Sequence, residues 1–368
     1  MPDLFIGLMS GTSMDGVDGV IADFSSGVRV LQHASAPFAE PLRAELMALN
    51  ASGPDELHRA WLAGNALMRV YADVVGQLLA QSGRSPADIA AIGAHGQTVR
   101  HRPQMFDGTG YTIQLAQPAL LAELAGIRVV ADFRSRDVAA GGQGAPLAPF
   151  FHQAVFARPG ETVGVLNIGG ISNITLLRAD GSMQGFDCGP GNALMDAWCA
   201  EHTGRPYDDD GRWAASGRVL PDLLASLLAE PYFEQPPPKS TGRDLFNRPW
   251  LAAHLQGLAA AAPQDVQATL TELTARACAG DAARHAPGLL RLVICGGGAL
   301  NGHLMGRLQA LLPDTQVVSS AQAGLPPLQV EAAAFAWLAM KCLRNEKLEL
   351  QSTTGAKGAR VLGGIYPA

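Results

Sequence analysis

The chain has 368 residues, 48% of them hydrophobic, and a formal net charge of -6. This length predicts about two domains, and the mild acidity without any run of basic residues argues against nucleic acid as a partner. No apolar run approaches the roughly 18 residues of a membrane helix, and the first residues lack the pattern of a signal peptide, so neither a membrane span nor secretion is expected.

The five cysteines are odd in number, and no two of them form a C-x-x-C pair. Free and mostly buried thiols are typical of a protein from a reducing compartment, so the sequence predicts a cytoplasmic location. The cysteines are Cys188, Cys199, Cys278, Cys295 and Cys342.

Hydrophobic periodicity in the first half predicts three strands, a long helix, and then strands that alternate with a helix. The strands are expected at residues 4–9, 17–24, 28–33, 89–94, 111–115 and 127–131, and the helices at about 54–81 and 118–124.

The second half repeats this order and adds a last helix. Its strands are expected at residues 163–168, 171–177, 183–186, 292–295 and 315–318, and its helices at about 266–285, 302–312 and 330–343. The repeat predicts an α/β fold duplicated as βββαβαβα, with one domain at residues 1–138 and another at 139–368, whose last segment is able to pack back on the first domain. The boundary is placed in a glycine-rich crossover.

Two glycine-rich turns occupy matching places in the two halves. Glycine lets the backbone approach a ligand closely, and turn amides with Ser or Thr hydroxyls can cradle an anion. Two such turns predict a polyphosphate held in a cleft between the halves, and therefore an ATP-dependent enzyme. The expected phosphate-binding residues are Gly11, Thr12, Ser13, Met14, Asp15, Gly16, Val17 and Asp18 in the first turn, and Gly169, Gly170 and Asn173 in the second.

Asp15 and Asp18 lie in or just after the first turn. A carboxylate beside a phosphate cradle is a natural anchor for Mg2+, usually through bound waters. The alternative is an Asp that stabilises the turn through its own backbone. The second turn favours the magnesium interpretation, with Asp15 as the predicted ligand.

Asp187 lies where a predicted strand ends and a helix begins, among glycines and after the apolar Phe186. Partial desolvation there would raise its basicity, as a general base requires. The alternative is a helix cap, although Asn192 is better placed for that role. Cys188 beside it has no His nearby in the sequence, so a buried thiol is favoured over a nucleophile.

Gly296, Gly297 and Gly298 follow a buried strand and precede Asn301 and a helix. Exposed backbone of this kind suits the flat face of an adenine and its ribose, so these four residues are expected in nucleotide binding. The alternative is an ordinary turn from strand to helix.

Arg134 follows a predicted strand end and is able to grip a substrate carboxylate with two parallel hydrogen bonds. The alternative is a surface ion pair with Asp132 or Asp137. Glu331 begins an apolar helix, where a carboxylate is favoured with or without a ligand.

Several common motifs are missing from the sequence: it has no P-loop, no dinucleotide fingerprint and no nucleophile elbow. His95 and His101 do not have the helical spacing of a zinc pair. The Pro-rich run at residues 236–243 is expected to be an ordered loop or insertion, which lines the cleft or caps a surface.

The chain resembles the anhydro-N-acetylmuramic acid kinase family. The matching segments occur in order over nearly the whole sequence, at residues 6–18, 93–98, 131–134, 141–147, 166–173, 185–192, 238–243 and 295–301. Because this family belongs to the actin, Hsp70 and hexokinase superfamily, the resemblance implies a two-domain ribonuclease H-like fold of the actin/hexokinase type with a central ATP cleft, in agreement with the duplicated pattern.

The resemblance also implies the chemistry. Water would open the internal bridge of 1,6-anhydro-N-acetylmuramic acid while its O6 takes the γ-phosphate of ATP, giving N-acetylmuramic acid 6-phosphate for cell-wall sugar recycling, with Mg2+ assisting. Asp187 would deprotonate the water, and Arg134 would bind the lactyl carboxylate. Further sugar contacts are expected from His95, Gln97, Thr98 and Glu331. Cys188 departs from the Thr expected in this family.

Two other functions remain open at this point. An ordinary sugar kinase would phosphorylate a free hydroxyl without adding water, and an ATP-driven binding protein would use the same fold without chemistry on a sugar. The second would need an appended binding domain or a polymer interface, for which the chain has no spare length. The expected partners are ATP and a small amino sugar, and a homodimer and the exact anhydro sugar stay open.

Overall fold

The computed structural model describes residues 3–11, 14–242, 244–256 and 261–368. The chain divides into two compact units, one formed by Met1–Phe151 with Gln329–Ala368 and the other by His152–Leu328. Among the described residues, no helix combines the length and the apolarity needed to cross a membrane.

The structure contains mixed strands and helices in both units. The strands are β1 (Leu4–Met9), β2 (Gly16–Asp23), β3 (Arg29–Pro37), β4 (Ala91–Ala94), β5 (Gln97–Pro103), β6 (Gly110–Leu115), β7 (Val129–Ala131), β8 (Thr162–Ile168), β9 (Ile171–Leu177), β10 (Met183–Pro190), β11 (Leu289–Cys295), β12 (Gln316–Ser319) and β13 (Gly364–Tyr366). The helices are α1 (Glu40–Ala48), α2 (Glu56–Ser82), α3 (Pro118–Ala125), α4 (Ser135–Ala139), α5 (Ala148–Phe156), α6 (Asn192–Thr203), α7 (Arg212–Ser216), α8 (Pro221–Leu228), α9 (Arg248–His254), α10 (Pro263–His285), α11 (Gly302–Leu311), α12 (Val330–Leu343) and α13 (Gln351–Thr354).

The main sheet of the first unit has the strand order β13-β7-β4-β1-β2-β3. Strands β1, β2 and β3 pair antiparallel, whereas β4 is parallel to β1 and β7 is parallel to β4. Strands β5 and β6 form a separate antiparallel hairpin.

The sheet of the second unit has the order β10-β9-β8-β11-β12. Its first three strands pair antiparallel and its last three pair parallel, which repeats the order and the directions of β3-β2-β1-β4-β7. The predicted duplication of one α/β pattern is therefore confirmed.

Two glycines allow helix α12 to lie directly on the first sheet. Gly7 of β1 and Gly93 of β4 are neighbours in the parallel register. A Cβ atom at Gly7 would collide with the Ala332 carbonyl oxygen, and one at Gly93 would collide with the Phe335 carbonyl oxygen. The missing side chains therefore let the helix backbone approach the sheet, which fixes the position of Glu331 in the first turn of α12.

Helix α10 is buried along most of its length in the core of the second unit. The hydroxyls of its threonines donate to backbone carbonyls one turn earlier in the helix: Thr269 to Asp265 at 2.7 Å and Thr271 to Gln267 at 3.0 Å. Because a buried polar group without a partner is costly, these bonds make a threonine-rich helix compatible with the core.

The structure differs from the predicted domain boundary at residues 138 and 139. The segment after α4 is held in the first unit, because the Asp137 carboxylate accepts hydrogen bonds from the Gly144 amide at 2.6 Å and from the Thr354 hydroxyl at 2.5 Å. The units divide after Phe151 instead, and residues from Gln329 onward belong to the first unit.

Helix α1 and strand β5 were absent from the sequence prediction. Strand β5 carries the polar run Gln97-Thr98-Val99-Arg100-His101, which lacks the alternation of a half-buried strand. It is stabilised by its partner β6, where the Thr112 hydroxyl lies 3.0 Å from Nδ1 of His101. Helix α1 is short, and of its residues only Leu46 is buried.

The glycine pair gives a stability prediction. We expect Gly7→Ala to lower the free energy of unfolding by about 3 kcal/mol, because the added methyl group overpacks the contact between β1 and α12. The control is Gly76→Ala in α2, where a Cβ would meet nothing within 4 Å and helix propensity should add about 1 kcal/mol. Urea unfolding of both variants measures this, and equal stabilities would contradict the proposed close packing.

Candidate active site

The first glycine-rich turn begins at Ser10, whose hydroxyl ties it to two other elements. The Ser10 Oγ lies 3.0 Å from the Gly96 carbonyl oxygen and 2.9 Å from the Tyr71 hydroxyl. Because a carbonyl can only accept, Ser10 donates to Gly96 and accepts from Tyr71. Burial raises the pKa of Tyr71, which keeps that donor protonated. The start of the turn is thus fixed to α2 and to the end of β4.

Within this turn the structure restricts how the predicted residues can act. Met14 and Val17 are buried in the core, so only their backbones can meet a ligand. A Cβ at Gly16 would collide with the Ala36 carbonyl of β3, which explains that glycine by strand packing. Thr12 and Ser13 lie outside the described residues.

The two carboxylates near the turn have different surroundings. The Asp15 side chain is 72% exposed, and Arg43 Nη2 lies 3.6 Å from its Oδ1. The Asp18 Oδ1 lies 3.3 Å from His33 Nε2, also at the surface. Both are accessible to a ligand, and such exposed pairs contribute little stability.

His95 and Arg134 form a buried pair at the ends of β4 and β7. The Arg134 Nη2 and Nε lie 3.0 Å and 3.3 Å from Nε2 of His95, and its Nη1 donates to the Gly144 carbonyl at 2.9 Å. Burial first, and then the Arg134 charge, lowers the pKa of His95 to about 3. The ring is therefore neutral, accepts at Nε2 and carries its proton on Nδ1.

The Arg134 guanidinium keeps binding capacity toward a ligand. His95 and Gly144 use three of its five N–H groups, and one N–H on each terminal nitrogen has no partner among the described residues. Burial lowers the pKa of Arg134 to about 10, against the charges of Glu331 and Asp137, so it stays charged at neutral pH. Two parallel donors and a positive charge fit a carboxylate.

Glu331 completes this group in the first unit. Its side chain is open to solvent, yet it is surrounded by enough protein that desolvation raises the pKa of its carboxyl. The nearby Asp18 charge acts in the same direction, and Arg134 opposes both. The structure therefore brings His95, Arg134, Glu331 and Asp18 into one electrostatic neighbourhood.

Gln97 and Thr98 point in different directions because successive strand residues face opposite sides. The Gln97 amide is buried and donates to the Gly11 carbonyl at 3.1 Å, while its Oε1 has no partner among the described residues. The Thr98 hydroxyl instead accepts from Gln114 at 3.2 Å. Gln97 thus belongs with the turn, whereas the contacts of Thr98 lie within the hairpin.

The second glycine-rich turn supports the start of α6. The Gly169 carbonyl accepts from the Asn192 amide at 2.7 Å, and the Gly170 carbonyl accepts from the Gly191 amide at 2.9 Å. A Cβ at Gly191 would collide with the Gly169 carbonyl. These hydrogen bonds tie the turn to the start of α6, and a Cβ at Gly169 would meet only the Ile171 carbonyl oxygen, at 3.7 Å.

Asp187 heads a polar row across the second sheet. It pairs with Asn173 of β9, which in turn pairs with Asn167 of β8. Directly paired residues share a face, so these three side chains project together. Cys188 is an extra residue in the register between β10 and β9, and bulges of this kind are common beside functional sites because they redirect side chains.

The Asp187 carboxylate is held on one side. Its Oδ2 accepts from the Ser240 hydroxyl at 2.9 Å and from the Thr241 amide at 3.0 Å. The hydrogen bonds between described residues all fall on Oδ2, which leaves Oδ1 for a ligand. Burial raises the pKa of Asp187, although the Thr241 amide, the Ser240 hydroxyl and the Lys239 charge lower it in part. This is the environment of a carboxylate tuned as a base.

Backbone conformation and packing explain most of the glycines that were predicted to bind the nucleotide. Gly296 has φ 75°, and a Cβ there would collide with the Asn167 side chain. A Cβ at Gly298 would meet Ile168 at 2.5 Å. Only Gly297 is exposed, and Asn301 accepts from the Leu304 amide at 2.9 Å as the cap of α11. The run is therefore a packed turn with one exposed backbone position.

The Cys188 side chain is fully buried in the core beside Cys278. Desolvation raises the pKa of its thiol well above the ordinary value, so it is a poor nucleophile. The side chain that replaces the expected Thr therefore faces the core and not a ligand.

Magnesium fits the first turn through a single carboxylate. Among the described residues, no group of three His, Cys, Asp or Glu side chains converges on one point. Mg2+ usually keeps several waters and takes one or two carboxylates from the protein. The exposed Asp15 suits that manner of binding.

No role was predicted for the residues that hold Asp187. Ser240 and Thr241 contact its carboxylate, Tyr232 donates to its carbonyl at 2.7 Å, and Lys239 pairs with Asp281 in the core. The Pro-rich run that contains Lys239 was noticed in the sequence, but nothing local in it indicates which carboxylate it would contact.

The state of the His95 ring is a testable consequence of this geometry. We expect its imidazole to stay neutral from pH 8 to about pH 4, protonated on Nδ1, because burial and Arg134 oppose the charged form. Imidazole 15N chemical shifts measure this, with His95→Gln assigning the signals. A midpoint near the ordinary value of 6.5 would contradict the buried pair.

Comparisons with known proteins identify the family of the chain. A family model described as anhydro-N-acetylmuramic acid kinase matches residues 3–368. The chain is 64% identical over 372 residues to an anhydro-N-acetylmuramic acid kinase of Variovorax paradoxus strain S110, covering 100% of this chain and 99% of the relative. It is 59% identical over 372 residues to one of Bordetella pertussis strain Tohama I, covering 99% and 96%.

Among solved structures, component A of (R)-2-hydroxyglutaryl-CoA dehydratase from Acidaminococcus fermentans matches with a TM-score of 0.50 at 13% identity. The match covers 90% of this chain and 96% of that chain, and it concerns the fold alone. The family follows instead from the sequence relatives and the family model. The chain belongs to the anhydro-N-acetylmuramic acid kinase family.

Proposed function

We propose that this protein uses ATP and water to convert 1,6-anhydro-N-acetylmuramic acid into N-acetylmuramic acid 6-phosphate, as a step of cell-wall sugar recycling. The observation that carries the proposal is the Asp187 carboxylate, whose Oδ2 accepts from Ser240 and Thr241, whose Oδ1 receives no hydrogen bond from the described residues, and whose pKa is raised by burial. Membership of the kinase family supports the substrate class.

Asp187 acts as the general base. Its Oδ1 takes a proton from water, the water oxygen bonds to the anomeric carbon, and the bond between that carbon and O6 breaks. The freed O6 attacks the γ-phosphorus, and the bond to the β-phosphate oxygen breaks to release ADP. The raised pKa makes the carboxylate a stronger base.

The two glycine-rich turns bind the polyphosphate. The turn at Gly169 and Gly170 is fixed by its hydrogen bonds to the start of α6, so it contributes preorganised backbone. The turn after Ser10 contributes backbone donors and the hydroxyls of Thr12 and Ser13. Fixed donors are effective here because phosphoryl transfer is accelerated mainly by positioning and electrostatics.

Mg2+, when bound, would spread the charge of the polyphosphate, and Asp15 would hold it, with Asp18 close by at the start of β2. The exposed backbone at Gly297 faces the adenine, with Gly296, Gly298 and Asn301 shaping that turn. Asn173, beside Asp187 in the polar row, orients the water or a phosphate oxygen.

Arg134 recognises the lactyl carboxylate of the sugar through its two remaining N–H groups. The neutral His95 ring holds the guanidinium without competing for the substrate charge. Gln97, with its unpaired Oε1, and Glu331 accept from sugar hydroxyl or acetamido groups, and Thr98 contributes from the hairpin. Because His95 is neutral, it does not use the positive charge of Arg134, which remains available to the ligand.

The product mass tests this function directly. With ATP, Mg2+ and 1,6-anhydro-N-acetylmuramic acid, we expect a sugar that is heavier by one phosphoryl group and one water, formed together with ADP. Mass spectrometry of the product, with a reaction lacking ATP as the control, measures this. Gain of a phosphoryl group without water would instead assign the protein to the ordinary sugar kinases.

The Asp187→Asn variant tests the base. We expect kcat to fall about a thousandfold, because the amide cannot take the proton, with ATP affinity unchanged. The matched control is Asp222→Asn at an exposed position of α8, which should leave kcat as it is. Coupled detection of ADP gives kcat, and calorimetry gives the ATP affinity. Turnover near the wild-type rate in Asp187→Asn would refute the assignment.

A further inference from the structure

We propose that Lys239 and Asp281 are positioning residues for Asp187: their buried ion pair fixes the loop of residues 239–241, whose donors hold the Asp187 carboxylate. The inference rests on the proposed role of Asp187 as the base. It gives a function to the Pro-rich run that the sequence alone left undecided.

The loop grips Asp187 at three points. The Asp187 amide donates to the Lys239 carbonyl at 3.1 Å, and the carboxylate Oδ2 accepts from Ser240 and from the Thr241 amide. These contacts fix both the backbone and the side chain of Asp187, so a displacement of the loop would displace the base.

The loop has little structure of its own. Its described residues between the short helical turn that ends at Glu234 and the start of α9 at Arg248 contain neither strand nor helix. A segment without a regular hydrogen-bonded ladder needs an external anchor to hold one geometry. Two described side chains of this segment are buried in the second unit: Phe246, which lies in the apolar core, and Lys239, which is the one next to the donors that hold Asp187.

The anchor is an ion pair inside the second unit. The Lys239 Nζ lies 2.9 Å from Asp281 Oδ2 and 3.1 Å from Oδ1, and the two side chains are 1% and 4% exposed. The Nζ also lies 5.0 Å from the centre of the Tyr232 ring, whose hydroxyl donates to the Asp187 carbonyl. Helix α10, which carries Asp281, is thereby connected to the backbone of Asp187.

Stability alone does not account for this pair. Removing two charges from water costs about as much as their attraction returns, so an apolar pair of similar size often serves folding equally well. An apolar pair would supply neither the directional anchor nor the positive charge that holds the Asp187 pKa down. The charged and titratable groups around Asp187 are Lys239, Tyr232, Cys188, Asp281 and His285.

The test replaces the ion pair by Lys239→Met with Asp281→Leu, in the full chain. We expect kcat to fall about ten- to hundredfold with the KM for ATP unchanged, because the base is misplaced. The acidic limb of kcat/KM should move up by about one pH unit, because loss of the Lys239 charge and of the loop donors raises the Asp187 pKa. Melting temperatures check that the variant is folded.

Two further variants separate positioning from folding. Lys239→Arg keeps the positive charge, so the acidic limb of its kcat/KM profile should lie at the wild-type pH. Arg307→Met removes a different ion pair of α10, in which Nε of Arg307 lies 2.7 Å from Oε2 of Glu272. Among the described residues, this pair makes no hydrogen bond to residues 239–241. Arg307→Met should leave the pH profile unchanged.

Ser240→Ala tests the loop at an exposed position and does not depend on the ion pair for folding. We expect Ser240→Ala to move the acidic limb of kcat/KM to higher pH, by less than the double variant does. An acidic limb at the wild-type pH in both the folded double variant and Ser240→Ala would overturn the inference. Failure of the proposed function is distinguishable, because then Asp187→Asn itself would keep its turnover.

Discussion

The parallel pairing of β1, β4 and β7 is the constraint on which the first unit's site depends. Carboxyl ends of parallel strands meet at one edge of a sheet, and ligands of α/β proteins bind there. Ser10, His95 and Arg134 follow these three strands, so distant parts of the chain meet at that edge. The glycine pair under α12 adds Glu331 from the other end of the chain.

Burial at these edges controls charge as well as geometry. His95 is made neutral and accepts a hydrogen bond from Arg134, so one positive charge remains for a ligand. Burial raises the pKa of Asp187, while the Thr241 amide, the Ser240 hydroxyl and the Lys239 charge lower it in part. In both cases a titratable side chain is tuned by a neighbour that arrives on a different segment.

The sequence predicted the parts of this molecule that are set locally. The turns at Gly11 and Gly170 and the position of Asp187 stand out because short-range backbone demands select glycine and because strands β1 and β8 are apolar. Which distant residue a given side chain contacts was not predictable from the sequence. Arg134 meets His95 across 39 positions and Lys239 meets Asp281 across 42, so only packing decides them. The division after Phe151 was not predictable either, since the crossover joins the first unit through contacts with the last segment, such as that of the Gln143 amide with the Thr354 carbonyl.

The duplication explains why the two units share a backbone plan but not a chemistry. Both place a glycine-rich turn between a central strand and its antiparallel neighbour, because the strand order and directions are the same. The side chains at the corresponding edges differ: one unit presents Arg134 and Glu331, and the other presents Asp187 with a row of Asn. The contacts that hold the turns differ too: the Ser10 hydroxyl fixes the start of the first turn, and backbone hydrogen bonds at Gly169 and Gly170 fix the second. The shared strand order therefore sets where each turn lies, while the side chains around it have diverged.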